Sequence, residues 1–263
     1  MTSGPVLFAR YAYPPNALGY CGPDAADELL ERASAGSDSP ELRRLAQGFE
    51  GAGPYLELIA QANGLADPLA SEVVEAYWIG NRLLDAVGPG LFRESVEGRF
   101  RPRLGVADWA GMDAACGAGS RPHHGFHVFF VYPWVGLLRT GPSDAPLQVL
   151  DRCRIRWGQV VELEGSASGG GTALVRSRPL VWDGSALGLG ETRIEAVRCP
   201  APLASELPDA RASEPAMLRP GDWCSLHWDW VCDRLDERRL SALRRITMGQ
   251  LALANAPARH ILA

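Results

Sequence analysis

Lysine is absent from the 263-residue chain; all 26 basic residues are arginine. The bias reflects a GC-rich genome and carries no functional weight. Positive charge is also scarce relative to negative, with 31 acidic residues giving a formal charge of −5. A general nucleic-acid binder needs a basic field to displace counterions from phosphates, so that class is excluded. The six cysteines, at 21, 116, 153, 199, 224 and 232, include no Cys-x-x-Cys pair, which excludes a zinc knuckle. No run is long and apolar enough to span a bilayer. The most apolar window, "VFFVYPWVGLL" from Val128 to Leu138, is about half the needed length, contains Pro133 and reads as buried core. The first residues, "MTSGPVLFARYAYPPNALGYCG", lack the basic start, apolar run and cleavage site of a secretory signal. The expectation is a cytoplasmic protein with reduced thiols.

What is present changes character near residue 145. Before it, apolar residues recur at helical spacing. In "DPLASEVVEAYWIGNRLLDAVG", Leu69, Val73, Ala76, Tyr77, Gly80, Leu84 and Val87 fall on one stripe, predicting a single helix from an Asp67 cap to Gly88. Shorter helical patterns cover roughly 24–35, 40–49 and 54–62. After residue 150 the period becomes two. "RIRWGQVVELEG" alternates Ile155, Trp157, Val161 and Leu163 against charged residues, and "TALVRSRPLVWDG" and "LGLGETRIEAV" are further strand candidates. Short strands between Gly-rich turns predict a small barrel. Residues 198–222, rich in Pro, Ala and Ser, read as an exposed excursion. An amphipathic helix starting at Asp236, with Leu240, Leu243, Ile246 and Met248 to Leu251 on its stripe, closes the chain. The predicted fold is α+β: a helical domain over 1–145, then a barrel with a C-terminal helix over 150–263.

The segment "RPGDWCSLHWDWVCDRL" alternates like one strand. Period two places Cys224, Leu226, Trp228 and Trp230 on a core face, and Trp223, Ser225, His227, Asp229 and Val231 on the other, so His227 is expected on a solvent face. Separately, "SRPHHGFHVFFV" puts His123 and His127 four residues apart if it is helical from Pro122, a spacing that can bind a metal, with His124 pointing elsewhere. Two ligands are too few, and the glutamate of the His-Glu-x-x-His signature is missing.

From Cys153 to Leu240 the chain resembles the HypC-type chaperones of nickel–iron hydrogenase maturation. "CRIRWGQVVELEG" supplies a cysteine and the Gly158-Gln159-Val160 step; "RPGDWCSLHWDWVCDRLDERRL" supplies Pro220-Gly221-Asp222, the histidine and the Leu-Asp-Glu approach to a terminal helix. The whole chain also looks like a family encoded beside hydrogenase genes. The resemblance implies an OB-like barrel and a transient iron fragment, bearing cyanide and carbon monoxide, held by Cys153 and His227. Its partner would be the hydrogenase large-subunit precursor or another maturation protein. Asp229 is expected to orient the imidazole. Arg152, Arg154 and Arg156 are expected to favour the Cys153 thiolate, and Arg154, Arg156, Arg238 and Arg239 to meet the partner. The chain departs from the family in that Cys153 lies inside the polypeptide and "CRIRWG" replaces Cys-x-x-x-Pro-Gly. On this reading the protein is an assembly chaperone, not an enzyme. The alternatives are a metal- or haem-dependent enzyme centred on His123 and His127, and an interaction module that has lost metal chemistry.

Overall fold

Helices occupy the chain from Gly4 to Cys153 and strands follow from Arg156, so the change of hydrophobic period marks a change of architecture. The structure, a computed structural model, describes residues 2–103, 106–141, 143–166, 170–200 and 218–256. The helices are Gly4–Ala17 (α1), Ala26–Ser34 (α2), Pro40–Gln47 (α3), Gly53–Ala62 (α4), Ser71–Trp78 (α5), Pro89–Phe100 (α6), Val106–Gly117 (α7), His124–Phe126 (α8), Trp134–Thr140 (α9) and Asp144–Cys153 (α10). A π-helical turn covers His127–Val131. Proline in the first turn of α1, α3, α4 and α6 suits positions whose N–H has no helical partner, and Ser39 caps α3 by accepting from Leu42 N at 3.1 Å.

The long helix expected over 67–88 is broken. Its stripe is buried as predicted, with Val73 and Ala76 fully enclosed and Leu84 and Val87 at 2% and 1% exposure. The backbone, however, leaves the α-helix after Trp78, turns at Gly80 (φ +96°) and resumes as a 3₁₀ turn over Arg82–Ala86. A side chain at Gly80 would collide with Ile246 Cδ1 at 2.0 Å, so glycine is required there both for its left-handed backbone and for space.

Five strands close a barrel in the order β1-β2-β5-β7-β6, comprising Arg156–Ser166 (β1), Gly170–Ser177 (β2), Arg193–Cys199 (β5), Trp223–His227 (β6) and Trp230–Leu235 (β7). Leu180–Trp182 (β3) and Leu187–Leu189 (β4) form a separate two-stranded ribbon. The barrel interior holds Val160, Ala173, Val175, Val197, Cys199, Leu218, Cys224, Leu226 and Val231. In β1 the expected parity is reversed: Arg156 and Val160 are buried, whereas Leu163 is 37% exposed. A bulge between Val160 and Glu162 shifts the register, and Ile155 packs with the helices instead. The segment read as one strand is a hairpin. It ends at His227, turns through Trp228 in the left-handed region (φ +52°) and restarts at Trp230. Of the excursion expected over 198–222, residues 201–217 lie outside the described residues.

The last helix, Glu237–Asn255 (α11), starts where expected, capped by Asp236, whose carboxylate accepts from Arg239 N at 2.7 Å. Leu240, Leu243 and Leu251 are buried, but Met248, expected on the stripe, is 47% exposed. One hydrophobic cluster unites residues of α1 to α7 with Ile155, Cys232, Leu235, Leu240 and Leu243. Helices and barrel therefore share a core. Among the described residues no helix is long and apolar enough to cross a membrane.

Candidate metal centre

Two prolines inside α1 prepare the site. Pro15 has no N–H, so the carbonyl of Tyr11, four residues back, has no helical donor. That carbonyl accepts instead from His227 Nδ1, at 2.6 Å. The expected parity of β6 is correct in direction and wrong in destination. His227 points out of the barrel, but α1 covers that face, with Tyr11 Oη 2.7 Å from Ser225 Oγ, and His227 is 0% exposed. Because Nδ1 carries the proton, Nε2 keeps its lone pair. It is buried and finds no hydrogen-bond partner.

Cys153 and His124 stand beside His227. A ligand atom from each of His124, Cys153 and His227 lies within 4.8 Å of the other two, and all three residues are buried. Cys153 is the last residue of α10 and not the start of a strand. Its segment is tied to the β6–β7 turn by three contacts: Trp228 N donates to Arg152 O at 2.8 Å, Arg156 donates to Trp228 O, and Arg152 Nη1 lies 2.6 Å from each Asp229 carboxylate oxygen. His124 sits in α8, where its Nε2 donates to Cys153 O at 2.8 Å. Its Nδ1 is thereby left as an acceptor, 3.3 Å from Tyr77 Oη. The Trp78 ring lies against both imidazoles, 4.6 Å from His124 and 5.7 Å from His227 between centroids.

Burial sets the protonation states. It lowers His124 to about 4 and His227 well below its ordinary value, so both imidazoles are neutral, as metal ligands must be. Burial also pushes the Cys153 thiol well above its usual range, opposite to the expectation that neighbouring arginines favour the thiolate. Those arginines are engaged elsewhere. Arg154, 2% exposed, donates to Asp151 at 2.9 Å and to Arg178 O at 2.8 Å. Arg156, 1% exposed, pairs with Glu195. Burial would raise the Glu195 carboxyl, and the charge and hydrogen bonds of Arg156, with Ser177, more than reverse it.

Several expected roles change with this geometry. Arg154 and Arg156 are enclosed and cannot meet a partner. Arg239 is spent on Asp233 and Glu75, at 2.6 and 3.1 Å, while exposed Arg238 bonds Glu75 at 3.0 Å. Asp229 does not orient His227; it pairs with Arg152, and the Tyr11 carbonyl takes that role. His123 and His127 do not form a centre. His123 caps α8, its Nδ1 accepting from Gly125 N at 2.9 Å. His127 contacts Tyr55 Oη at 3.5 Å. No third His, Cys, Asp or Glu joins them among the described residues. His124, expected to point elsewhere, is the member that sequence reasoning missed. Nothing local marks it, because its partners lie on α10 and β6.

His124, Cys153 and His227 open onto a cavity of about 90 Å³, whose wall also includes Tyr20, Cys21, His127, Tyr132, Trp134 and Trp228. Tyr20 stacks on Trp228 with centroids 4.4 Å apart. The donor set, two neutral nitrogens and a sulfur, fits a borderline or soft transition metal. Metal–sulfur and metal–nitrogen bonds of about 2.3 and 2.0–2.1 Å put neighbouring donors about 3.3–3.8 Å apart, a spacing inside the 4.8 Å span of the three. Comparison with curated proteins and with solved structures returns no match. A model described as "Family of unknown function (DUF6390)" matches residues 1–260, and the chain belongs to that family.

Proposed function

We propose that this protein is a cytoplasmic accessory protein of nickel–iron hydrogenase maturation that holds an iron fragment at His124, Cys153 and His227. The observation carrying the reading is the convergence of Cys153 and His227, remote in sequence, with His124 within 4.8 Å. The closed five-stranded barrel followed by a capped helix is further support, since it is what the HypC-type resemblance implies. In this reading His227 supplies a preoriented neutral nitrogen, His124 supplies Nδ1 by giving up its contact with Tyr77 Oη, Cys153 supplies the anionic donor after losing its proton, and the aromatic wall keeps water away. The metal, when bound, supplies a Lewis-acidic centre for soft ligands. No catalytic turnover is required of the chain: it binds and delivers.

The test is anaerobic purification from the native host during hydrogenase expression, with metal analysis, infrared spectroscopy and identification of co-purifying proteins. Iron near one equivalent, cyanide or carbonyl stretches, and a co-purifying large subunit or maturation protein are expected. All three should be lost in a Cys153→Ala, His227→Ala strain. Metal-free protein from wild-type cells, with normal hydrogenase in the double-alanine strain, overturns the proposal.

A further inference from the structure

Three ligands leave a bare divalent ion, one that brings no cyanide or carbonyl of its own, short of one donor and one negative charge. Two neutral imidazoles and a single thiolate compensate only half of its charge, and the remainder would be buried at great cost. The cavity wall offers no relief in the usual form, since no carboxylate is among its residues. The groups there that can become anionic are phenols and one further thiol, Cys21. A thiolate is a softer ligand than a phenolate and suits a borderline or soft transition metal better.

We propose that Cys21 is the fourth ligand of a charge-neutral Cys2His2 centre for a divalent transition metal, completed by Cys153, His124 and His227. The inference rests on the metal reading above and names a residue that reading does not use. Two independent observations point to it. Cys21 lines the same cavity as the three buried residues, and His227 Nε2, fully buried and unpartnered, faces a site that lacks an ion-compensating group. Cys21 is also the one cysteine of the six that is not buried, as an exchangeable ligand requires.

Cys21 stands outside the 4.8 Å grouping, so a four-ligand centre forms by its movement. The backbone is held: Asn16, itself buried, donates through Nδ2 to Cys21 O at 2.8 Å and to Pro23 O at 2.7 Å. Rotation about the Cys21 side chain, between staggered wells, is the available motion. Binding is balanced without oxidation or reduction. Two S–H bonds ionise, two metal–sulfur and two metal–nitrogen bonds form, bound water leaves the ion, and two protons pass to solvent. A tetrahedral four-ligand centre is closed to substrate, and releasing Cys21 reopens it, so this ligand separates holding from delivery.

Cobalt(II) titration of the full chain, followed by its thiolate-to-metal charge-transfer absorption, tests the assignment. Cys21→Ser is expected to lower the band per bound ion by about half, as one of two sulfurs is lost, and to weaken cobalt binding by more than about tenfold. Iodoacetamide should label Cys21 in the metal-free wild type and not in the zinc-loaded protein. That readout needs no variant and decides the matter if Cys21→Ser misfolds by circular dichroism. Equal band and affinity in wild type and Cys21→Ser, with both lost in Cys153→Ser, overturns the role of Cys21 and leaves the three-residue centre standing. Cobalt binding absent from the folded wild type overturns both.

Discussion

His227 is neutral in the folded protein because burial removes the water that would solvate its cation, and the same holds for His123, His124 and His127, at about 3, about 4 and about 3 for the three. Unfolding returns each to a value near 6.5. The unfolded chain therefore binds more protons as pH falls through about 6.5, and stability contributed by the neutral forms, fully present above that value, declines towards about pH 4. Each histidine contributes a slope of up to about 1.4 kcal/mol per pH unit in that window. Urea unfolding at pH 7, 6, 5 and 4 should show a steady loss of midpoint, and a flat profile would contradict four buried neutral imidazoles. His227→Ala should cost about 1–3 kcal/mol, since it removes a buried hydrogen bond to a carbonyl with no other helical donor. A solvent-face histidine would cost less than about 0.5 kcal/mol. Denaturant titration separates the two.

At the level of elements, α1 acts through what it omits. Pro15→Ala returns an N–H that can satisfy the Tyr11 carbonyl within the helix, in competition with His227 Nδ1. Metal affinity should fall on the order of tenfold, as for other losses of a hydrogen bond orienting a ligand. The fold should not weaken, and isothermal titration calorimetry with thermal denaturation checks both. The break after α5 makes a second prediction. Gly80→Ala imposes a left-handed alanine and a clash with Ile246, and should destabilise by at least about 1–2 kcal/mol from the backbone alone. Adding Ile246→Ala should recover only the steric part, measured by a double-mutant cycle in urea. Full recovery would mean that the left-handed backbone costs nothing.

For the whole molecule, the barrel's outer face supplies core to the helices. Ser225 and His227 are covered by α1, and Cys232 and Leu235 belong to the helical cluster. A fragment of residues 150–263 exposes these surfaces and should not behave as an independent barrel. The expected result is strong dye binding and a non-cooperative melt, with cooperative unfolding restored when residues 1–149 are added. A fragment that melts sharply alone would show that the shared core is dispensable to the barrel.

Local rules carried far in this sequence. The switch of period from 3.6 to 2 marks where strands begin, and the Asp236 cap marks the start of α11, because both depend on neighbours within a few residues. The pairing of Cys153 with His227 was suggested by a family pattern and not by chemistry in either segment. Strand parity also placed Cys224 and Leu226 inside the barrel and His227 outside it. Parity cannot say what covers the outer face, and α1 decides that from more than two hundred residues away. The same limit explains Arg156, which looks like surface charge in sequence and is enclosed where β5 delivers Glu195 to it, while Arg154 pairs with Asp151 only three residues back on α10. It explains His124 as well, whose ligand partners arrive only when α10 and β6 dock. Local backbone preference and hydrophobic period were determined by the sequence read linearly; which polar groups share one water-poor space was decided by tertiary packing, since the low dielectric that fixes their charge exists only once distant elements close over them.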